Sequence, residues 1–590
     1  MQNRVALISS LLIAAILAVG CAPNIAGSPE ASLSVGNRSE PILQKQVCSA
    51  NGSGQNTAFF LTISGGGSRA AYLGARVISE LKDVDGTDLT NYINVVSSVS
   101  GGSLAAALYG ISTDRTTGDS WRPVWKDSLI RTRLAENLKF DMAEQLANPE
   151  FLGGYIFGHT NRTDAFFAAL NSSVLFGLSP AKRQLTLGDF NPNRPQIIIN
   201  STVATAEGTT AFQPRPFGSL FTFSPSDLDS IGVNYSTLPL SRAVAASAAF
   251  PGLLSPVVLN RFRLGSTERE LGKPRFIHLI DGGNVDNLGL LAVKRALIED
   301  SHRLLTNCDQ IVVLTVDAFG AQGFHQDDTP SMRSASGWVL DTHTLLAAFD
   351  ALLAANRTRL LAEFKSRMFT PPADSEQCRK DDLPSDICGG GVRVNWDEVN
   401  ALLKRKLYFV HLSFDSSELA EPPNVVYCDG KYGDPDSKCH EPPINLWVYN
   451  NEERALRLRL KQIPTTFGLS LEQQSDISMY VKLLFNPKNI CLMHLRKILS
   501  GTAKHASGFY EKASNSCDET TSFTEAQMTR RRSGEEVFGD WIATPGHKVG
   551  DNPYIERRRY DPIPTLEARE AFWKNVLKYY GWNGSEAKGQ

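Results

Sequence analysis

"TAFFLTISGGGSRAAYLGARVISELKDV", residues 57–84, reads as a short β-rich run, three consecutive glycines, and a helix pattern opening near Ser68. A second stretch, "INVVSSVSGGSLAAALYG", residues 93–110, repeats that strand–turn–helix arrangement. Two such units in succession predict an α/β fold, since parallel strands need crossover helices rather than tight hairpins. Further apolar runs follow at "PQIIINSTVA" (195–204), "RFIHLID" (275–281), "DQIVVLTVDA" (309–318) and "KLYFVHLSFD" (406–415). Helical patterns intervene at 124–147, 163–175, 240–249 and 288–299, and a long one spans 338–368.

The chain has 590 residues, too many for one ordinary core, so a large catalytic-size domain with additions is expected. Its composition, 42% hydrophobic and 21% charged, is globular, and the formal net charge of −2 offers no electrostatic reason to expect nucleic acid as a partner. Beyond about residue 486 the pattern turns irregular and charged, with "RRRSGEE" and "IERRRYDP". Residues 56–485 are therefore read as one α/β domain and 486–590 as a C-terminal extension.

The N-terminus, "MQNRVALISSLLIAAILAVGC", has one early Arg4, a short uncharged apolar run, small residues and then Cys21. That layout fits a signal peptide over 1–20. The ending "AVGC" resembles a bacterial lipobox, with Ala18 where Leu is commonest, which makes Cys21 the expected lipidation site. Residues 21–55, rich in Ser, Gly, Asn and Pro, are then expected to be a flexible tether. Ala22 leaves no Asp after Cys21, so an outer-membrane anchor in a bacterial cell envelope is the expected localisation.

Eight other cysteines remain: Cys48, Cys308, Cys378, Cys388, Cys428, Cys439, Cys491 and Cys517. An even number in an exported chain predicts disulfides. Zinc is the competing reading, but no Cys-x-x-Cys pair occurs and nearby His is limited to His440. Cys378–Cys388, in a cysteine-bearing insert near 370–392, and Cys428–Cys439 are the preferred local bridges. Partners for the other four stay open.

The chemistry centres on Ser100. A serine hydroxyl is a poor nucleophile until a base takes its proton and donors hold the oxyanion. A tight strand-to-helix turn exposes the hydroxyl and aims a helix N-terminus at the reacting atoms. Such a turn needs small neighbours, which Ser98, Gly101 and Gly102 supply; Ser97, Ser98 and Ser103 read as turn or cap residues. "SGGGSR", 64–69, can converge backbone N–H groups on an anion. It lacks the Lys-Ser/Thr of a P-loop, and Ala70 ends any G-x-G-x-x-G pattern, so an oxyanion hole is favoured over a phosphate site. "FIHLIDGGNVDNLGL", 276–290, puts Asp281 at a strand end before Gly282 and Gly283. Asp286 is a rival base that reads better as a helix-starting cap. His278 lies inside the strand, so a Ser–Asp pair without His is the economical reading.

In that order these motifs resemble the patatin-like phospholipases, which pair a Gly-rich oxyanion loop, a Gly-x-Ser-x-Gly elbow and an Asp-Gly-Gly/Ala base. "AVAASAAFPGLLSPV" (243–257) is similar to the Ala-Ser-x-Ala-x-Pro segment before the family's Asp, and "LKQIPTTFGLSLEQQSDISMYVKLLF" (460–485) resembles a closing helical segment. Ser98 replaces the elbow's first Gly, and Ala70 replaces a Gly after Arg69. The resemblance implies a three-layer α/β/α fold with a mostly parallel central sheet. It implies Ser100 as nucleophile, Asp281 as base, and Gly65, Gly66, Gly67 and Arg69 at the oxyanion hole. The implied reaction is hydrolysis of phospholipid or lysophospholipid acyl esters through an acyl-enzyme, on membrane lipid, with no metal or cofactor. Acyl transfer on the same dyad and a non-catalytic lipid- or protein-binding envelope lipoprotein are the alternatives.

Overall fold

A computed structural model describes, with short breaks, residues 42–205, 217–262, 276–320, 342–371, 394–414, 446–501 and 563–579, and the short strands at 25–26, 428–429 and 438–439. In chain order the strands are β1 (Ile25–Ala26), β2 (Ser49–Ala50), β3 (Asn56–Ile63), β4 (Val95–Val99), β5 (Gln196–Val203), β6 (Leu220–Phe223), β7 (Val257–Asn260), β8 (Phe276–Asp281), β9 (Gln310–Asp317) and β10 (Leu407–Ser413). They form one ten-stranded sheet in the order β1-β7-β8-β5-β4-β3-β9-β10, with β2 beside β3 and β6 beside β5.

The strands β5, β4, β3, β9 and β10 run parallel, as the two opening units predict. The sheet then departs from simple parallel winding, because β8 pairs antiparallel with β5 and β7 antiparallel with β8. An apolar run carries no mark of its direction, so this reversal could not be read from "RFIHLID". Its consequence is positional. Asp281, the last residue of β8, pairs with Ser201, next to Asn200, which pairs with Val99 at the end of β4. The reversed strand therefore delivers its C-terminal carboxylate to the level at which β4 ends.

Alternation along the central strands supplies two apolar faces. On β3, Phe59, Leu61 and Ile63 join one core while Ala58 and Phe60 join the other; on β9, Val312, Leu314 and Val316 oppose Ile311 and Val313 in the same way. Both faces of the sheet are thus covered, which is why these runs are continuously hydrophobic. The first core takes α1 (Gly67–Leu81), α2 (Gly101–Ile111) and the helix Leu471–Leu484; the second takes α3 (Leu290–Glu299), the helix Trp396–Lys406 and the C-terminal half of Thr342–Ser366. Each fully buried Leu, Ile or Phe is worth about 1.5–3 kcal/mol. The result is three layers, α/β/α.

Two expected boundaries move. Part of the 21–55 tether is packed: Ile42, Leu43 and Val47 are buried in the second core, and Ser49–Ala50 extends the sheet. Gln196 Nε2 donates to the Ile42 carbonyl at 2.8 Å, and its Oε1 accepts from the Gln44 N–H at 3.0 Å. A disulfide joins Cys48 to Cys308 across 260 residues of sequence, with 5.4 Å between their Cα atoms. At the other end, the helix Leu566–Tyr579 buries Trp573, Val576 and Leu577 in the first core, and Ile490–Leu499 adds Leu495 and Ile498. Parts of 486–590 therefore complete the domain. Cys428 stands opposite Cys439 in a two-stranded antiparallel pair, while Cys21, Cys378, Cys388 and Cys517 lie outside the described residues.

Candidate active site

The site forms where the chain reverses its winding, beyond the carboxyl ends of β3 and β4 with β9 on the far side of β3. Ligands collect at such switch points, where loops from neighbouring strands diverge. Ser100 sits between β4 and α2 with φ 50° and ψ −123°, a conformation that costs a non-glycine residue on the order of 1–3 kcal/mol. The turn is tolerated because its surroundings over-determine it. The Ser100 N–H donates to Ser247 Oγ at 2.8 Å, Ser247 Oγ donates to the Asn200 carbonyl at 2.5 Å, and Ser103 Oγ lies 3.0 Å from Ser247 Oγ.

Ser98, the position where the elbow pattern carries Gly, is buried beneath the turn. Its hydroxyl donates to the Ile198 carbonyl at 3.3 Å and accepts from Ser103 Oγ at 3.2 Å. The extra hydroxyl is thus satisfied within the strand rather than crowding the nucleophile. Ser97 is tied in similarly, donating to the Gly289 carbonyl at 2.7 Å and accepting from Asn200 Nδ2 at 2.8 Å.

Ser100 Oγ donates to Asp281 Oδ2 at 2.8 Å, and the other carboxylate oxygen accepts from the Gly283 N–H at 2.7 Å. Burial pushes the Asp281 carboxyl up to about 6, against the pull of those two donors. A base near neutrality can take a proton and return it within one catalytic cycle. Gly282 packs where a side chain would strike the Asn200 carbonyl. Asp286 has a different part: it accepts from the Leu288 and Leu291 amides at 2.8 and 2.5 Å, anchoring the start of α3.

The N-termini of α1 and α2 converge on Ser100. A Cβ at Gly101 would collide with the Gly67 carbonyl, and one at Gly102 would approach the Ser64 carbonyl at 2.5 Å. Gly66 and Gly67 have φ of 139° and 61°, backbone that turns their amides away from ordinary helical directions. Among the described residues, neither amide has a hydrogen-bond partner. Gly65 and Arg69 take other parts. The Gly65 N–H donates to the Asn287 carbonyl at 2.9 Å. The Arg69 guanidinium is buried, donates to the Ile463 carbonyl and faces Asp317, and burial lowers it to about 10. It braces the loop from behind.

That rear support was invisible in the sequence. Asp317, ending β9, accepts from Arg357 Nε at 2.5 Å and pairs with His411 Nε2 at 2.9 Å. Although burial pushes its carboxyl up, the His411 hydrogen bond and the Arg357 charge hold it down at about 2. The next residue's N–H, on Ala318, donates to Ser64 Oγ at 2.8 Å. The Thr466 carbonyl accepts from the Ser68 N–H at 2.8 Å and closes the space beside Gly67. Ser247 lies in a segment the sequence singled out, but its role needs the 147-residue separation from Ser100 to be closed in space.

Residues 61–294 match the family model for Patatin-like phospholipase. No curated protein sequence matches the chain. Among solved structures, VipD from Legionella pneumophila is similar at 13% identity, over 96% of this chain and 99% of that one, with a TM-score of 0.23. The type III effector protein ExoU is similar at 14% identity over 83% and 84%, with a TM-score of 0.16.

Proposed function

We propose that the chain, whose residues 61–294 match the patatin-like phospholipase family model, is an acyl hydrolase of that type, with Ser100 and Asp281 as the catalytic dyad that cleaves acyl esters of phospholipids or lysophospholipids. The observation that carries this reading is the 2.8 Å hydrogen bond from Ser100 Oγ to Asp281 Oδ2, beside the amides of Gly66 and Gly67. As Oγ attacks the ester carbonyl carbon, its proton passes to Asp281. The carbonyl oxygen becomes an oxyanion held by the Gly66 and Gly67 N–H groups, with the Gly101 N–H at the start of α2 as a further donor. Collapse expels the lysolipid or glycerol oxygen, which takes the proton from Asp281 and leaves an acyl group on Ser100. Water then repeats the sequence and releases the fatty acid.

Lipid as the substrate class fits the margin of the site. Exposed Leu253 lies on the turn that follows Ala249, whose carbonyl accepts the Asp281 N–H at 3.0 Å. Thr163 Oγ1 and Arg162 donate to carbonyls of that turn, at Ser255 and Gly252. Shortly before them in the chain, the helix Pro149–Ile156 exposes Leu152 and Ile156.

The pH dependence tests the base. Asp281 accepts a proton only when ionised, so kcat/KM on a soluble acyl ester should fall about tenfold per pH unit below pH 6 and level off above it. A midpoint near 4, where an ordinary carboxyl titrates, would reject Asp281 as a buried base.

We also propose that the mature chain is held at the cell envelope through acylated Cys21. Among the described residues no helix is long and apolar enough to cross a membrane. The proposal rests on the "LAVGC" stretch at 17–21. Metabolic labelling with a clickable fatty acid should tag the wild type and not Cys21→Ser; an untagged wild type would remove the anchor from the account.

A further inference from the structure

Asn287 has no part in the mechanism above, yet its carboxamide lies in the wedge between the three motifs. A Cβ at Gly65 would strike Asn287 Oδ1 and stand 3.3 Å from Ser100 Cβ. A Cβ at Gly283 would stand 3.0 Å from Asn287 Oδ1 and 3.1 Å from Asp281 Oδ1. The backbone of Asn287 is fixed by the Gly65 N–H on its carbonyl, and the residue is only 7% exposed. Among the described residues its carboxamide has no hydrogen-bond partner. The residue is largely enclosed, but its carboxamide is not sealed from solvent, so it opens toward the site, where water or another polar group can bond it.

Which group that is follows from the side it occupies. The Gly66 and Gly67 amides serve the oxyanion, whereas Asn287 sits by Gly65 and Gly283, on the carboxylate's side of Ser100. The water that resolves the acyl-enzyme must approach from that side, because Asp281 takes its proton. Resting on the dyad reading, we propose that the Asn287 carboxamide and Asp281 together hold the deacylating water. The water oxygen bonds to the acyl carbon as its proton moves to Asp281 Oδ2. The carbon–Oγ bond then breaks, Oγ recovers the proton from Asp281, and the carboxylic acid leaves. Asn287 gains and loses no proton; it is a positioning residue.

The experiment separates the two half-reactions in Asn287→Ala and Asn287→Leu, the second keeping bulk without polarity. Acylation is read as the rate of inactivation by a fluorophosphonate probe, and deacylation from the pre-steady-state burst with a p-nitrophenyl acyl ester. Both variants should label within about twofold of the wild-type rate, while steady turnover falls on the order of 10–100-fold and a stoichiometric burst of p-nitrophenol accumulates. Equal losses in labelling and turnover in both variants would make Asn287 an oxyanion donor or a structural residue and overturn the proposal. Unchanged turnover in both would also overturn it. Labelling of the wild type at Ser100 bears on the dyad alone, so failure of the dyad and failure of the water site give different results.

Discussion

Ser100→Ala should lower acyl-ester hydrolysis by about four orders of magnitude or more, because nucleophile and base act as one unit and neither has a substitute. The fold should survive. Ala keeps the same Cβ in the φ 50° turn, and the amide of residue 100 still donates to Ser247. What is lost is one donor to Asp281 Oδ2, which leaves a buried carboxyl that can stay protonated at little cost. Thermal unfolding within a few degrees of the wild type, together with absent turnover, is the expected pair of results. A folded Ser100→Ala protein with wild-type turnover would remove Ser100 from the chemistry.

Asp281→Asn should cost nearly as much, on the order of 10³–10⁴-fold in kcat, since an amide cannot take the serine proton. The variant preserves shape: Oδ1 can still accept from the Gly283 N–H, and the amide group can still contact Ser100 Oγ. Its residual rate should lose the step at pH 6 that ionisation of Asp281 gives the wild type. The double variant should be no worse than Ser100→Ala alone, because the second change removes a partner with nothing left to activate. Additive losses in the double variant would show two separate functions instead of one dyad.

How much of this site was legible depends on what each residue needs around it. Gly66, Gly67, Gly101 and Gly102 were readable because backbones that nearly touch, or adopt positive φ, leave a mark in composition. Asp281 was readable from a strand end followed by two glycines, although the antiparallel direction of β8, which sets its level, was not. The family resemblance implies Arg69 at the oxyanion hole. In the fold it lies behind that loop, drawn there by Asp317 and the Ile463 carbonyl, partners far off in sequence. Ser247, Asp317 and Asn287 have ordinary neighbours, in an alanine-rich helix, at a strand end and in a helix-starting loop. Only the tertiary arrangement gives them roles.

The same reason explains the termini. Polar composition over 21–55 suggested a tether, while Ile42, Leu43 and Val47 fill the second core and Cys48 is bonded to Cys308. Three apolar residues in a polar stretch are too few to register as a pattern. They suffice once Gln196 holds the backbone on both sides of Leu43.

The most direct test of the central claim is labelling of the wild-type protein with a fluorophosphonate probe, followed by mapping of the modified peptide. The Ser100–Asp281 account predicts one adduct on the peptide containing Ser100, formed faster at pH 8 than at pH 5 and absent from Ser100→Ala and Asp281→Asn. An adduct on another serine, or labelling of Ser100 that persists at the wild-type rate in Asp281→Asn, would contradict it.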